Sequence, residues 1–512
     1  MVRLTNNWII VSQDDVAYFS LKINLKKKMP PKKIRKRNNT VTNVPQPDEP
    51  LYYIDEQSGD MYIPVGLFEF ISEQLKLSKI VDCRVFYDID ADDLSEIERY
   101  RSILGGIELR NEQLLAIRKA LINGRGILEL ATGSGKTEIM CGIVKYLMLK
   151  YGKCPTVLLL EPTINLQHST INRFKKYDIP ALSYTDNREI KLNTVNVAHP
   201  QSLGNDLDTN PDLLNSVDVL LCDECHHFSA DSFRRPTYNM SNLKMSIGVS
   251  ASAISQEHID YTNILDFDMN EILAISATGR LLMNVITADM VNDGNLAKPV
   301  LMIMKYECRE RLENGNPSDW ADISKTRLES ENRSKYITAC ADVFSRYGRK
   351  TLILVNTIRW AENLLKLLYD SGVSAGASFG SGKMIRYNGI IFEKNKDVMR
   401  DFESGDISVL VATSHLYEGA DIPNLDTIIL GYGGKGERTQ IQGIGRALRI
   451  TKNGKYAYVV DFTDNGDLVL NRHFNSRLSR YKNIIGITDD RIFYNNSSGD
   501  LEKNFKELEE MC

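Results

Sequence analysis

One stretch constrains this chain more than any other. Gly133-Ser134-Gly135-Lys136-Thr137 lies between an apolar run, Gly126 to Leu130, and a helical pattern from Glu138 to Lys150. Strand, glycine-rich turn and helix in that order make a phosphate-binding loop. The glycines let backbone N–H groups close on phosphate oxygens, and the helix N-terminus adds partial positive charge. Thr132, Gly133, Ser134, Gly135, Lys136 and Thr137 are therefore the expected nucleotide-binding residues, with Lys136 on the β- and γ-phosphates and the Thr137 hydroxyl on Mg²⁺. Leu130 stands where the strict motif has its first glycine.

The flanking sequence keeps alternating. Apolar strands are expected at Thr156–Leu160, Thr194–Val197 and Val217–Leu221, with a helix at Ile164–Lys176. A second set follows: Thr351–Val355, a helix through Asn363-Leu364-Leu365, then Val409–Ala412, Thr427–Leu430 and Tyr456–Val460, ending at Asp461. Such alternation predicts parallel sheets with helices on both faces. With 512 residues the chain exceeds one ordinary hydrophobic core. The expected class is α/β: two tandem parallel-sheet domains at 101–290 and 291–470, linked near Asn292–Pro299, with a helical appendage at 471–512. Residues 1–100 are expected to form a small N-terminal α+β accessory domain. It would hold a strand at Trp8–Val11, a hairpin of Leu51–Ile54 with Met61–Ile63, and an amphipathic helix over Phe68–Leu77.

Composition narrows the partners. The net charge of −4 gives no global field that would draw in nucleic acid, so binding must rest on local patches. One such patch is the run Lys26, Lys27, Lys28, Lys32, Lys33, Arg35, Lys36 and Arg37, whose reading is open between a phosphate-contacting arm or loop, a nuclear-localisation signal and a solvated surface. No apolar run reaches the ~18 residues of a membrane span and no signal-peptide pattern opens the chain. A cytoplasmic protein with no membrane partner is expected. The eight scattered cysteines suit a reducing compartment. Cys222-Asp223-Glu224-Cys225 with His226 and His227 lacks a second ligand pair at finger spacing, so a strand end is favoured over zinc.

Asp223 and Glu224 follow an apolar strand, which sets both carboxylates at a sheet edge beside the phosphate loop. There Asp223 would hold Mg²⁺ and Glu224 would orient and polarise the attacking water. Gln442-Gly443-Ile444-Gly445-Arg446-Ala447-Leu448-Arg449 puts Arg446 and Arg449 one helical turn apart, so they are expected on one face. Their guanidinium groups could stabilise charge on the γ-phosphate when the domains close, with Gln442 in the same motif. Gly431–Gly436 is expected as a flexible loop near the interdomain cleft, and His226 as a hydrogen-bonding link from the nucleotide site to the second domain.

Taken in order, these motifs resemble the superfamily 2 helicases over roughly residues 109 to 461. The resemblance implies ATP and Mg²⁺ as cofactors and RecA-like folds for both sheet domains. It places Arg110 and Gln113 at the adenine, and Pro162, Thr163 and Gln201 on the sugar–phosphate backbone of the tracked strand. Ser250 and Ser252 become coupling residues in Ser250-Ala251-Ser252. Thr357 and Thr413 take further nucleic-acid contacts, and Gly419 and Asp421 belong to the nucleotide network. Asp-Glu-Cys-His in place of Asp-Glu-Ala-Asp separates the chain from the main group of RNA helicases, and Gln167 receives no contact. Tyr62-Ile63-Pro64-Val65-Gly66-Leu67 resembles the strand-to-helix junction of the phage UvsW-type branched-DNA helicases. That likeness implies fork regression, branch migration, and R-loop or D-loop dissociation, including RNA–DNA hybrids. The enzyme would be monomeric or transiently associated, in host cytoplasm if the source is a phage. The alternatives are an RNA helicase and an ATP-gated DNA translocase or clamp that does not separate strands.

Overall fold

The computed structural model describes residues 1–29, 32–35, 41–44, 48–89, 97–379, 384–386, 395–413, 422, 424–450 and 456–510. Two compact units result: Met1–Leu130 with Gly135–Asn284, and Val285–Cys512 with Ala131–Ser134.

A seven-stranded sheet organises the first unit. Its order is Ala181–Ser183, Val195–Ala198, Val157–Leu160, Val219–Asp223, Met245–Ser250, Arg125–Leu130 and Leu281–Val285. The pairs from Ala181–Ser183 through Arg125–Leu130 are parallel. The central strands are mostly apolar and buried along nearly their whole length because both faces are covered, with Ser246, Ser250 and the terminal Asp223 as their polar members. Parallel register brings their C-terminal ends to one edge: Leu160 lies opposite Cys222, Asp223 opposite Val249, and Glu129 opposite Ser250. Each following helix starts at that edge, among them Lys136–Tyr151 and Ile164–Lys176.

The accessory segment builds a five-stranded sheet, ordered Tyr53–Ile54, Met61–Pro64, Trp8–Val11, Val2–Leu4 and Ile80–Asp82. It shares its core with the lobe beneath, since Val2, Val11, Met61 and Leu67 belong to one buried cluster with Phe228, Met240 and Ile275. Gly66 marks the closest approach: a Cβ there would lie 2.1 Å from the Ile275 carbonyl oxygen, so only glycine fits. The helix expected over Phe68–Leu77 is broken. Val65–Leu67 and Ser72–Leu75 are 3₁₀ turns around a short α-turn, Phe68–Ile71. Leu67, Ile71 and Leu75 still bury one face, but no side chain caps the run, and Leu77 is 89% exposed.

In the second unit the strand order is Met384–Arg386, Ala375–Ser378, Val409–Ala412, Thr351–Leu354, Thr427–Leu430, Tyr456–Asn465, Lys298–Glu307 and Ile492–Asn495. All neighbours are parallel except Met384–Arg386, which runs antiparallel at one edge. Both units therefore carry RecA-like parallel sheets. Tyr456–Asn465 runs four residues beyond the Asp461 end expected from sequence, held by in-register pairing with Lys298–Glu307. The tail differs more. Helices Leu468–Asn483 and Ser498–Glu510 are present, but Ile492–Asn495 between them joins the sheet beside Leu301–Met304, and Leu501 and Phe505 enter the lobe's core. Residues 471–510 are thus part of the second lobe instead of a helical appendage. Among the described residues no helix is long and apolar enough to cross a membrane.

Candidate functional site

The phosphate loop follows the buried strand Arg125–Leu130 and needs two left-handed residues: φ is +87° at Gly133 and +81° at Gly135. Side chains rarely adopt such angles, which explains glycine at both positions. Gly135 has a second reason, because a Cβ there would lie 2.3 Å from Gln113 Nε2. Gln113 is buried in the first turn of the helix Asn111–Asn123, where its Oε1 accepts the Arg110 N–H at 2.9 Å in a capping box. The Gln113 amide is thereby fixed against the loop. The Arg110 guanidinium pairs with Glu112 at 2.5 Å.

Lys136 opens the next helix, and its Nζ donates to Glu224 Oε1 at 2.5 Å, with Asp223 Oδ1 at 4.0 Å. Asp223 is the last residue of its strand. Glu224 turns the chain sharply with φ +48°, a left-handed conformation rare for a side chain of its size and concentrated at functional sites. Burial alone would lower the Lys136 pKa, but the two carboxylates hold it above the usual lysine range. Burial would raise Glu224, and Lys136 with His226 instead keeps it well below the usual carboxylate range. Asp223 moves up, because burial and the neighbouring Glu224 outweigh Lys136.

A hydrogen-bonded relay leads away from Glu224. Ser250 Oγ donates to Glu224 Oε2 at 3.1 Å, His226 Nδ1 lies 3.0 Å from Ser250 Oγ, and the Ser252 N–H donates to Ser250 Oγ at 3.2 Å. The three residues expected to couple are brought together around one carboxylate oxygen. Cys222 and Cys225 are buried, and Cys225 packs on Gly248, where a Cβ would come within 2.8 Å of its Sγ.

The same edge carries the residues expected on nucleic acid. Thr163 caps the helix Ile164–Lys176 by accepting the Leu166 N–H, and Pro162 O lies 3.1 Å from His199 Nε2, next to the helix Pro200–Thr209, in whose first turn Gln201 is exposed. Glu161, directly before Pro162, carries no expected role from sequence. It is fully buried, its Oε1 accepts from Thr170 Oγ1 at 2.7 Å, and among the described residues its Oε2 has no partner. Burial, reinforced by Asp223, pushes its pKa well above the carboxylate range. The only available signal was an acid ending an apolar strand.

In the second unit, Thr357 caps the helix Ile358–Asp370, and its hydroxyl donates to Glu329 at 3.2 Å. Thr413 follows the neighbouring strand, buried, with its N–H on Ser378 O at 3.4 Å. Gly419 and Asp421 lie outside the described residues, as does the Gln442 side chain. Arg446 occupies the last turn of the helix Glu437–Ala447, whereas Arg449 is exposed beyond it. The expected shared helical face is therefore not formed. Leu448 is drawn into the core with φ −79° and ψ 2°, and its carbonyl accepts the Ala297 N–H at 2.7 Å, which stops the helix.

Gly431–Gly436 also departs from expectation, being clamped through its carbonyls. Arg333 Nη1 donates to Gly431 O at 2.7 Å, Arg477 Nη1 to Gly434 O at 3.0 Å and Arg480 Nη1 to Lys435 O at 2.6 Å, while His473 Nδ1 lies 3.1 Å from Gly433 O. Arg333 and Arg477 are themselves buried on Asp464 and Asp461 at 2.7 and 2.8 Å. The loop that leads into the arginine-bearing helix is thus a fixed element. Sequence reasoning missed these anchors because their partners are backbone atoms about 40 to 100 residues away.

Known proteins give the same picture. Residues 106–278 match the family model of the type III restriction enzyme res subunit, and residues 334–451 the helicase conserved C-terminal domain. Helicase 22 of Sulfolobus islandicus filamentous virus is 23% identical over 429 residues, covering 78% of this chain and 72% of its own length. The ATP-dependent DNA helicase uvsW of Enterobacteria phage T4 is 20% identical over 373 residues, 68% of this chain and 67% of its own. Saccharomyces cerevisiae Dbp5 bound to RNA and ADP BeF3 shares the fold with a TM-score of 0.56 at 17% identity, over 82% of this chain and 98% of that one.

Proposed function

We propose, from the premise that the chain belongs to the superfamily 2 helicases and hydrolyses ATP, that its work is the remodelling of branched DNA: fork regression, branch migration, and dissociation of R-loops or D-loops. The observation that carries the ATPase chemistry is the meeting of Lys136, Asp223, Glu224, Ser250 and His226 at one sheet edge. The substrate proposal is supported by the Asp-Glu-Cys-His tetrad and by similarity to a phage protein named as an ATP-dependent DNA helicase.

Each residue has a part. The loop amides from Thr132 to Thr137 take the phosphates, with Gln113 and Arg110 toward the base, and Lys136 offsets phosphate charge. The residues fit a divalent cation, since Asp223 and the Thr137 hydroxyl supply hard oxygen ligands beside the loop. Mg²⁺ held there would neutralise phosphate oxygens during transfer. Glu224, held ionised, orients water and receives its proton. Loss of charge on Glu224 weakens its bond from Ser250, and that serine begins the Ser250-Ala251-Ser252 segment, so hydrolysis is transmitted along it. Arg446 and Arg449, with Gln442, Gly419 and Asp421, are proposed to stabilise γ-phosphate charge. Pro162, Thr163, Gln201, Thr357 and Thr413 are proposed to hold the strand backbone.

ATP hydrolysis would be measured without nucleic acid and with single-stranded DNA, forked DNA, a four-way junction and single-stranded RNA. Strongest stimulation by fork or junction is expected, followed by strand exchange on the same substrate. Stimulation by RNA alone would replace the substrate class with RNA, and stimulation by DNA without strand displacement would leave a translocase or clamp.

A further inference from the structure

A groove of about 340 Å³ lies between the accessory sheet and the lobe it packs on. Aromatic rings dominate its wall: Trp8, Tyr52, Tyr53 and Tyr62 from the accessory segment, and Tyr238 beside Arg234 from the lobe. The rings are locked in a set geometry. Trp8 stacks on Tyr238 with centroids 4.9 Å apart, Tyr53 stacks on Tyr62 at 4.8 Å, and Trp8 meets Tyr53 edge-on at 5.3 Å. One face of Tyr53 is used by Tyr62, yet the residue is 47% exposed. Arg234 is held in place by the carbonyls of Phe228 and Ser229, both at 3.0 Å.

Beside this wall runs the start of the basic stretch. Lys26–Lys27 pairs antiparallel with Glu49–Pro50, two residues of the groove's rim, and Lys26 and Lys28 are exposed. Lys22 is also exposed, next to Tyr52, whose hydroxyl donates to the Lys22 carbonyl at 2.9 Å. Among the described residues Glu49 is the only acid lining the groove, and it lies across from Lys27. None of the lining residues comes from the sheet edge that carries the phosphate loop and Thr163.

We propose that this groove is a second nucleic-acid site, which seats an unpaired nucleotide of single-stranded DNA with its base stacked on Tyr53 and its backbone toward Lys26 and Lys28. The proposal rests on the helicase reading and gives it a separate contact for a displaced strand. Aromatic platforms flanked by lysines bind single strands because every base presents a π-face and every linkage an anion. An extended proline-rich peptide would also find aromatic rings here, but it has no anion for the lysines to meet.

The test uses the full chain and a short single-stranded DNA carrying 2-aminopurine, whose fluorescence is quenched on stacking. Tyr53→Ala should weaken binding about 5- to 150-fold and abolish the quench. Tyr53→Phe should retain both, since a ring suffices. Lys26→Glu with Lys28→Glu should weaken binding and flatten its salt dependence while keeping the quench of bound DNA. All three variants should keep the hydrolysis rate measured without nucleic acid, because none touches the phosphate loop. DNA binding and quench equal to the unaltered chain in Tyr53→Ala would overturn the groove while the helicase reading stands. DNA binding by no form of the chain, with hydrolysis unmoved by any nucleic acid, would overturn both. Binding of a proline-rich peptide that survives in Tyr53→Phe, without binding of DNA, would reassign the groove to a protein.

Discussion

Replacing Gly135 by alanine tests how tightly the phosphate loop is specified. The residue sits at φ +81°, where an L side chain costs about 1–2 kcal/mol. The new methyl would also lie 2.3 Å from Gln113 Nε2, far inside van der Waals contact. Gln113 cannot swing away freely, because it is buried and its Oε1 holds the Arg110 N–H at 2.9 Å; losing that bond removes about 1 kcal/mol. Against these, alanine restricts the unfolded chain and returns roughly 0.4–1 kcal/mol. The net penalty is about 1–2.5 kcal/mol, divided between a strained loop and displaced phosphate-binding amides. It is measured by titrating a fluorescent ATP analogue and by urea unfolding of the same protein, and the two losses together should fall in that range. Gln113→Ala in the same background removes the overlap but leaves the backbone strain, so the double-mutant cycle should show about 1 kcal/mol of coupling. Unchanged ATP affinity and stability in Gly135→Ala, or a cycle without coupling, would refute the reasoning.

Other outcomes follow from the same geometry. Lys136→Ala should abolish hydrolysis, and Glu224→Gln should bind ATP while turnover falls by about 10²–10⁴, both read in a phosphate-release assay. Arg477→Met strands Asp461 in the core and should destabilise the second lobe by about 3–5 kcal/mol in urea, with much of that recovered when Asp461→Asn is added. Arg480→Ala, at the more exposed end of the clamp, should lower turnover while ATP affinity stays constant; unchanged turnover would show that the loop's position does not matter. Glu502 is held down to about 2 by Tyr347, Arg346 and Lys506. Its folded pKa is depressed, so its contribution is full above the ordinary carboxylate pKa near 4.3 and is lost as pH falls toward 2. The protection of the Ser498–Glu510 amides against hydrogen exchange, taken relative to the unstructured rate at each pH, should therefore fall across that window, and Glu502→Gln should remove the step.

The strands were legible because each is a local apolar run: Val409–Ala412 and Thr427–Leu430 match to the residue, as does the helix Ile164–Lys176 between Thr163 and its basic last turn. The meeting of Lys136, Asp223 and Glu224 was legible for the same reason, these residues falling in short contiguous motifs. What sequence concealed was set by distant partners. Ile492–Asn495 becomes a strand only beside Leu301–Met304, and Tyr456–Asn465 is long only because Lys298–Glu307 is. Arg446 and Arg449 looked like helical neighbours until the Ala297 N–H claimed the carbonyl of Leu448. Gly431–Gly436 read as slack, since glycine content says nothing of the arginines that hold its carbonyls.

The threading of the second sheet also sets an order on the ribosome. All seven strands of the first lobe have been made once Val285 emerges, so that lobe can close while synthesis continues. Lys298–Glu307, by contrast, waits with both edges bare for Tyr456–Asn465 on one side and Ile492–Asn495 on the other. At ~5–20 residues per second that wait lasts roughly 10–40 s, during which an apolar strand is open to wrong neighbours. Nascent chains of this protein should therefore lean on chaperones late, after the first lobe is finished. A premature stop just before Ile492 should yield chains whose first lobe folds and whose second aggregates.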